Sequence, residues 1–282
     1  MTIRQTTVTF LWALAVFLGV VQSGLGQGTS TVTATPLRQA HAHNDYLHAR
    51  PLLDALHHGF CSVEADIFLT AEGLLVAHEA KELKPGRTLQ SLYLDPLRQR
   101  IQNGGGRVYA SGPTFYLLVD VKTEAAATYA ALDKLLAGYA DILSVTENGK
   151  LTEKAVTIIL SGNRAIDEIT KQTKRYVAID GRPDDLKKNP APELVPWISA
   201  NWTLLFRWRG EGPFPEEEKQ KLTDLVRQAH EQHRKVRFWA TAEKEAVWTE
   251  LLSANVDLIN TDKLADVSHF LDSMSAKRQN RQ

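Results

Sequence analysis

Only one cysteine stands among the 282 residues, so no internal disulfide can form and sulfur chemistry does not report the compartment. Charge of one sign is missing too: 33 Lys and Arg balance 33 Asp and Glu, for a formal net charge of zero. Such a chain has no broad field to draw it to nucleic acid or an anionic surface. Nucleic acid is therefore excluded as a partner, and an anionic substrate must be held by a local site. No internal repeat or low-complexity tract is evident. Past the N-terminus no apolar run approaches the roughly 20 residues that a membrane span needs, so no stable span is expected in the mature chain.

What is present is the composition of a soluble globular protein, 43% hydrophobic and 23% charged. Its length suits a single α/β barrel. Arg4 precedes the apolar stretch Phe10–Val21, and small residues follow at Ser23, Gly24 and Gly26. This is the layout of a secretory signal peptide, with an uncleaved anchor as the alternative. We assign residues 1–27 to that leader, 28–36 to a flexible tail, 37–275 to the barrel and 276–282 to a polar C-terminal tail. The expected location is secreted or periplasmic. Cys61 precedes an apolar run and reads as a buried, inert thiol.

From residue 37 onward, short apolar runs alternate with amphipathic stretches. Strands are predicted at Gln39–His43, Cys61–Phe68, Phe115–Lys122, Val156–Ser161, Tyr176–Asp180, Trp197–Asn201, Val236–Ala240 and Asp257–Thr261. Helical patterns fall near 49–58, 88–102, 123–139, 163–173, 214–233, 242–253 and 263–273, with a weak one at 182–194. Eight β-then-α steps without a composition break predict a single-domain α/β fold, a TIM-type (β/α)8 barrel, with an open doubly wound sheet as the runner-up. Polar residues end many of the runs: His43, Asp66, Lys122, Ser161, Asp180, Asn201, Thr241 and Asp262 follow or close them. A barrel gathers all these ends on one face, where barrel enzymes keep their chemistry.

Six of the nine histidines fall between positions 41 and 78. Within this region Glu64 and Asp66 are one residue apart on a strand, so both side chains face one way. Two inward carboxylates at that spacing repel unless a cation sits between them, and oxygen ligands suit Ca2+ or Mg2+. An ordinary exposed Glu-x-Asp on an edge strand is the competing reading. Asp120 and Lys122 repeat the spacing; Asp120 completes the metal shell and Lys122 neutralises a substrate oxyanion, unless the two form a structural pair. His43 and His78 are the acid–base pair, because imidazole titrates near neutrality. His41, Asp45, Trp239 and Asp262 are candidates to support these groups or to touch substrate. Trp202, Phe206 and Trp208 read equally well as an aromatic wall for an alcohol or lipid moiety or as core.

These motifs resemble a known superfamily. Ala42-His43-Asn44-Asp45-Tyr46-Leu47 is similar to the signature of phosphoinositide-specific phospholipases C, which implies a catalytic His43 and a metal-binding Asn44. Ser62-Val-Glu64-Ala-Asp66-Ile resembles the metal-binding Glu-x-Asp strand of glycerophosphodiester phosphodiesterases. Leu75-Val-Ala-His78-Glu resembles the stretch that ends in the second catalytic His, and Val119-Asp120-Val-Lys122 resembles the third-strand Glu-x-Lys, with Asp for Glu. Phe238-Trp239-Ala-Thr241 and Val256–Asp262 look like the last two strands. The segment from His41 to Lys122 resembles most the altered inheritance of mitochondria protein 6 family. The resemblance implies a metal-dependent phosphoric diester hydrolase with one divalent cation, acting on a small-molecule or lipid phosphodiester. A phosphatase on the same barrel and a catalytically idle binding barrel are the alternatives. The His-Arg-Gly and Glu-Asn-Thr that glycerophosphodiesterases usually carry after strand one are absent. That removes a phosphate-contacting arginine, for which Arg87, Arg182, Arg207 and Arg209 are the candidate replacements.

Overall fold

A computed structural model describes residues 34–110 and 112–279, together with Thr2. The leader (but for Thr2), the first part of the tail and residues 280–282 lie outside the described residues. The described residues form twelve strands: β1 (Leu37–Ala42), β2 (Phe60–Thr70), β3 (Gly73–Val76), β4 (Phe115–Val121), β5 (Val145–Glu147), β6 (Lys150–Thr152), β7 (Val156–Gly162), β8 (Lys174–Arg175), β9 (Val177–Gly181), β10 (Trp197–Asn201), β11 (Lys235–Trp239) and β12 (Leu258–Thr261). The helices are α1 (Leu53–His57), α2 (Asp95–Asn103), α3 (Ala125–Ala137), α4 (Ile166–Lys171), α5 (Asp185–Lys188), α6 (Trp202–Leu205), α7 (Glu216–Glu231), α8 (Glu245–Ser253) and α9 (Leu264–Gln279).

The eight runs predicted as strands are the eight parallel staves β1, β2, β4, β7, β9, β10, β11 and β12. Each pairs with the next, and β1 pairs with both β2 and β12, so the sheet closes into a barrel. An open sheet is excluded by that closure. β3 returns antiparallel along the far end of β2, with Ile67 opposite Val76. β5, β6 and β8 form a separate small antiparallel sheet.

Strand alternation divides the side chains between two layers. Along β4, Phe115, Leu117, Val119 and Val121 pack outward against the helices in the main core. The intervening Leu118 joins Ile159, Ala178, Trp197 and Leu258 in a second cluster inside the barrel, with Tyr116 against it. Two glycines are needed where strands meet neighbouring chain. Gly59, at φ +81, enters β2 so close to Thr35 that a Cβ would lie 2.3 Å from its carbonyl oxygen. Gly162, at φ +69, leaves β7 beside Asp120, where a Cβ would lie 2.5 Å from the carboxylate.

The helices differ from their sequence patterns in extent. The 49–58 pattern yields only α1, after a 3-10 turn at Asp45–Leu47, and the 88–102 pattern begins with a π turn at Gln90–Leu94 before α2. α9 runs through to Gln279, into the segment given to a polar tail, since Ala276-Lys-Arg-Gln279 holds no helix breaker. Of the two readings of Trp202, Phe206 and Trp208 the structure selects the core: all three are buried, and the Trp202 ring packs tilted on Phe206 and edge-on against Phe238. The Trp202 indole N–H donates to the Trp208 carbonyl at 2.9 Å, so these rings are core. Among the described residues no helix is long and apolar enough to cross a membrane.

Candidate active site

Strands β1, β2 and β4 are consecutive staves, and their C-terminal ends bring most of the candidate residues to one mouth. β2 supplies Glu64 and Asp66, both buried, with Ala65 and Ile67 turned outward into the core. The register sets Asp66 opposite Asp120 on β4. Lys122, just past β4, places its Nζ 2.9 Å from Asp66 Oδ2 and 2.9 Å from Asp120 Oδ1. The hairpin strand β3 delivers His78 to the same place: Ala77 N–H donates to the Asp66 carbonyl at 3.3 Å, and His78 Nδ1 lies 3.6 Å from Asp66 Oδ2. Beyond β1, His43 N–H continues the β12 pairing through the Thr261 carbonyl. Asn44 then takes a left-handed conformation (φ 46) that starts the 3-10 turn.

His43 sits between two carboxylates. Its Nδ1 is 2.9 Å from Asp262 Oδ1, and its Nε2 is 3.7 Å from Glu64 Oε2. Burial alone would lower its pKa, but the Asp262 hydrogen bond and the charge of Glu64 outweigh burial and raise it. His41 is the opposite case. Full burial and the Arg237 guanidinium lower it to about 4, so the ring is neutral. Arg237 Nη1 donates to His41 Nε2 at 2.8 Å, leaving Nδ1–H to donate to Ser62 Oγ at 2.7 Å. His41 therefore orients its surroundings and does not trade protons.

The two carboxylates on β2 are pushed apart electrostatically. Burial opposes ionisation of Glu64, yet the charges of Arg237 and His43, each 3.7 Å from its Oε2, hold the carboxyl well below the usual range. Asp66 is raised to about 6 by burial and by the charge on Glu64. Burial likewise raises Asp120, while Asp120 and Asp66 together raise Lys122 against the effect of burial.

Sequence reasoning missed two central groups. Tyr46 was visible only as part of a motif, yet its hydroxyl lies at the hub, 2.7 Å from Asn44 Oδ1, 2.7 Å from Asp66 Oδ2 and 3.1 Å from His78 Nδ1. Arg237 crosses the lumen beneath the mouth, 3.7 Å from Glu64 Oε2, and donates to Asn260 Oδ1 (3.0 Å) and Ser199 Oγ (3.2 Å). The available signal was an arginine between the apolar Val236 and Phe238 of a strand, where a buried charge demands partners. Two candidates stand apart from the cluster. Asp45 turns into the core, accepting from Leu52 N–H at 2.5 Å and Tyr93 OH at 2.9 Å. Trp239, at the tip of β11, is 37% exposed and makes no hydrogen bond to the cluster.

The donor set fits a hard cation. Glu64 Oε2 and Asp66 Oδ1 are buried without a hydrogen-bond partner, and unpartnered carboxylate oxygens are what such an ion takes. Among the described residues no three His, Cys, Asp or Glu side chains are gathered as an ion-binding group. The Asn44 oxygen is occupied by Tyr46, and the Asp66 and Asp120 carboxylates by Lys122, so coordination needs these side chains to turn.

Comparison with known proteins bears on the family and the fold. The model of the AIM6-like phosphodiesterase domain matches residues 29–180, more than half of the chain. The model of the glycerophosphoryl diester phosphodiesterase family matches residues 235–265. Altered inheritance of mitochondria protein 6 of Eremothecium gossypii is 28% identical over 272 residues, covering 83% of this chain and 69% of that protein. Its homolog in Arthroderma benhamiae is 28% identical over 255 residues, covering 79% and 80%. The crystal structure of a glycerophosphodiester phosphodiesterase from Parabacteroides distasonis matches 86% of this chain and 100% of its own with a TM-score of 0.54 at 15% identity, a likeness of fold. A closed parallel barrel, the motifs on its first three staves and a family match over half the sequence lead to one assignment: the chain belongs to the AIM6-like phosphodiesterase domain family.

Proposed function

We propose that this barrel hydrolyses phosphodiesters at the mouth of β1, β2 and β4, with His43 and His78 moving protons on either side of the scissile phosphorus. One observation carries the reading. The two imidazoles flank the Glu64–Asp66 pair from opposite ends, His43 Nε2 at 3.7 Å from Glu64 and His78 Nδ1 at 3.6 Å from Asp66. Two positions along a strand span about 7 Å. A tetrahedral phosphate then lies between two proton-handling groups, as displacement with attacking and leaving oxygens in line requires.

His43 Nδ1 faces both Asp262 Oδ1 and Asn44 Nδ2 at 2.9 Å, and we assign its hydrogen to the Asp262 contact, so that Nε2 takes the proton of the attacking water, or of a neighbouring substrate hydroxyl. The raised pKa of His43 favours the imidazolium formed in that step. His78 gives a proton to the departing oxygen. Lys122 offsets negative charge on the phosphoryl oxygens. A divalent cation, Ca2+ or Mg2+, held by Asn44, Glu64, Asp66 and Asp120, would supply Lewis-acid polarisation of a nonbridging oxygen. The substrate is a small-molecule or lipid phosphodiester, and the leader read in residues 1–27 makes the protein a secreted or periplasmic one.

The test pairs turnover with binding. We expect hydrolysis of bis(p-nitrophenyl) phosphate, loss of that activity with EDTA, and little action on the p-nitrophenyl monoester. Ca2+ or Mg2+ should raise the Tm of the native chain and not that of Glu64→Gln, because a ligand specific to the folded state stabilises it. Preference for the monoester assigns a phosphatase instead. No turnover and no thermal shift assign an idle barrel.

A further inference from the structure

A second charged cluster lies further around the same mouth, at the ends of β7 and β9. Asp180, fully buried, accepts from Ser161 Oγ at 2.9 Å and Ser199 Oγ at 2.5 Å, and pairs with Arg182 Nη1 at 2.9 Å. Arg182 also donates to the Asp180 carbonyl at 3.1 Å and to Ser161 Oγ at 3.2 Å. Arg164, two residues past Gly162, donates through Nη1 to that same Asp180 carbonyl. Two guanidiniums sharing one acceptor stand side by side. Arg182 has its carboxylate; Arg164, among the described residues, has none within 4.0 Å. The nearby Asp185 caps the Arg182 backbone N–H at 2.8 Å and faces Lys188 at 3.7 Å.

The other arginines open as phosphate contacts are committed elsewhere or unorganised. Arg87 donates to the Tyr46 carbonyl at 2.8 Å, and Arg209 to the Phe206 and Trp208 carbonyls at 2.9 Å each. Arg207 is exposed, and only its backbone N–H is bonded, to Glu218. Position then separates the guanidinium pair from the scissile site. Lys122 binds between Asp66 on β2 and Asp120 on β4, whereas the guanidiniums meet at β9, with β7 between. Two inter-strand steps amount to about 10 Å, wider than one phosphate group.

We infer that Arg164 and Arg182 form an anion subsite for a second negatively charged group on one arm of the substrate, so that the preferred substrate is a phosphodiester carrying a further phosphate on its alcohol. Arg164 makes the contact, since among the described residues its guanidinium bonds through Nη1 alone, and Arg182, pinned by Asp180 and Ser161, holds the neighbouring charge in place. The inference rests on the diesterase reading for the placement of the scissile group.

The experiment compares two substrates on the full chain: bis(p-nitrophenyl) phosphate, and a p-nitrophenyl diester whose other arm is 2-phosphoethyl. The native protein should favour the phosphorylated arm. Arg164→Gln should cut that preference, as a ratio of kcat/KM values, by about tenfold, the scale of one charge-assisted contact, through KM, and Arg164→Lys should restore part of it. An unchanged ratio in Arg164→Gln, or no native preference, overturns the inference. Calorimetric binding of 2-phosphoethanol separates this from the diesterase reading. If neither diester turns over but the monoester binds the native chain and not Arg164→Gln, the subsite stands and the hydrolytic reading falls; absence of binding together with absence of preference removes the subsite.

Discussion

Inside the barrel, the N-terminal half and the C-terminal half differ within one pleat of the same strands. On β4, Leu118 below gives way to Asp120 above; on β7, Ile159 gives way to Ser161; on β9, Ala178 to Asp180; on β10, Trp197 to Ser199; on β12, Leu258 to Asn260. The lower layer is apolar and buried. The upper layer is a continuous polar network from Ser62 and His41 through Arg237 and Ser199 to Asp180 and Arg182. On these five strands a difference of two residues thus separates what makes the lumen rigid from what makes it reactive, whereas the lumen side of β2 is polar from Ser62 to Asp66. The upper network tolerates burial because each member is bonded, and its unpartnered oxygens fall on Glu64 and Asp66, at the proposed chemistry.

That division makes the two halves separable by mutation. The largest expected effect is on rate. His43→Ala removes the proton acceptor from the upper end and should lower kcat on bis(p-nitrophenyl) phosphate by about 10²–10⁴-fold. Its Tm should stay close to that of the native chain, since His43 is only half-buried. A native rate in this variant would break the acid–base assignment. Trp197→Ala strikes the lower end, where the ring is fully buried and packs against Tyr116 at 5.1 Å between centroids. It should cost about 3–5 kcal/mol of stability, read as a fall in the denaturation midpoint. A loss well below that would mean that the lower layer does not fix the barrel.

The same division governs how much could be read from the sequence. All eight staves were legible, because each combines an apolar run with an alternation that a closed sheet demands. A strand period of two made it legible that Glu64 and Asp66, and likewise Asp120 and Lys122, share a face, whereas His43 and His78 were singled out by imidazole chemistry and by the family motifs. β3, β5, β6 and β8 were not: strands of two to four residues are too short to show a period. The part played by Arg237 was hidden because its partners come from β1, β2, β10 and β12, and no local pattern reports contacts at a sequence separation of 196 residues. Trp202, Phe206 and Trp208 were ambiguous for a related reason: an aromatic cluster has the same sequence appearance whether it is roofed by Phe214 and Phe238 or left open.

Polarity near the mouth is not itself membership of the upper network, and Asp45 sharpens this point. It adjoins Asn44 in sequence, yet it is buried in the outer core, where its bond to Leu52 N–H holds that residue at φ 63. Burial raises its carboxyl to about 7. Below pH 4 the group is protonated both folded and unfolded, and the folded state has its full stability. As pH rises towards 7 the unfolded chain releases the proton first, so stability declines, levelling off above the folded pKa. Asp45→Asn cannot ionise. The stability of this variant relative to the native chain should therefore rise between pH 4 and pH 7, by on the order of 2–4 kcal/mol, in urea melts across that range. A difference that does not change with pH would mean that Asp45 ionises normally in the fold.

Cys61 gives the smallest effect and tests the comparison along a single strand. It lies three residues before Glu64 on β2, but on the outward face with Val63 and Ala65, in the apolar core. Burial pushes its thiol up to about 12, so at pH 8 almost no thiolate forms in the folded protein. Iodoacetamide should leave the native chain unlabelled and modify it fully after unfolding in guanidinium, and Cys61→Ala should keep turnover of bis(p-nitrophenyl) phosphate unchanged. Rapid labelling of the folded chain would instead mean that this face of β2 opens to solvent, and the rigidity ascribed to the outer packing of the staves would have to come from the lumen alone.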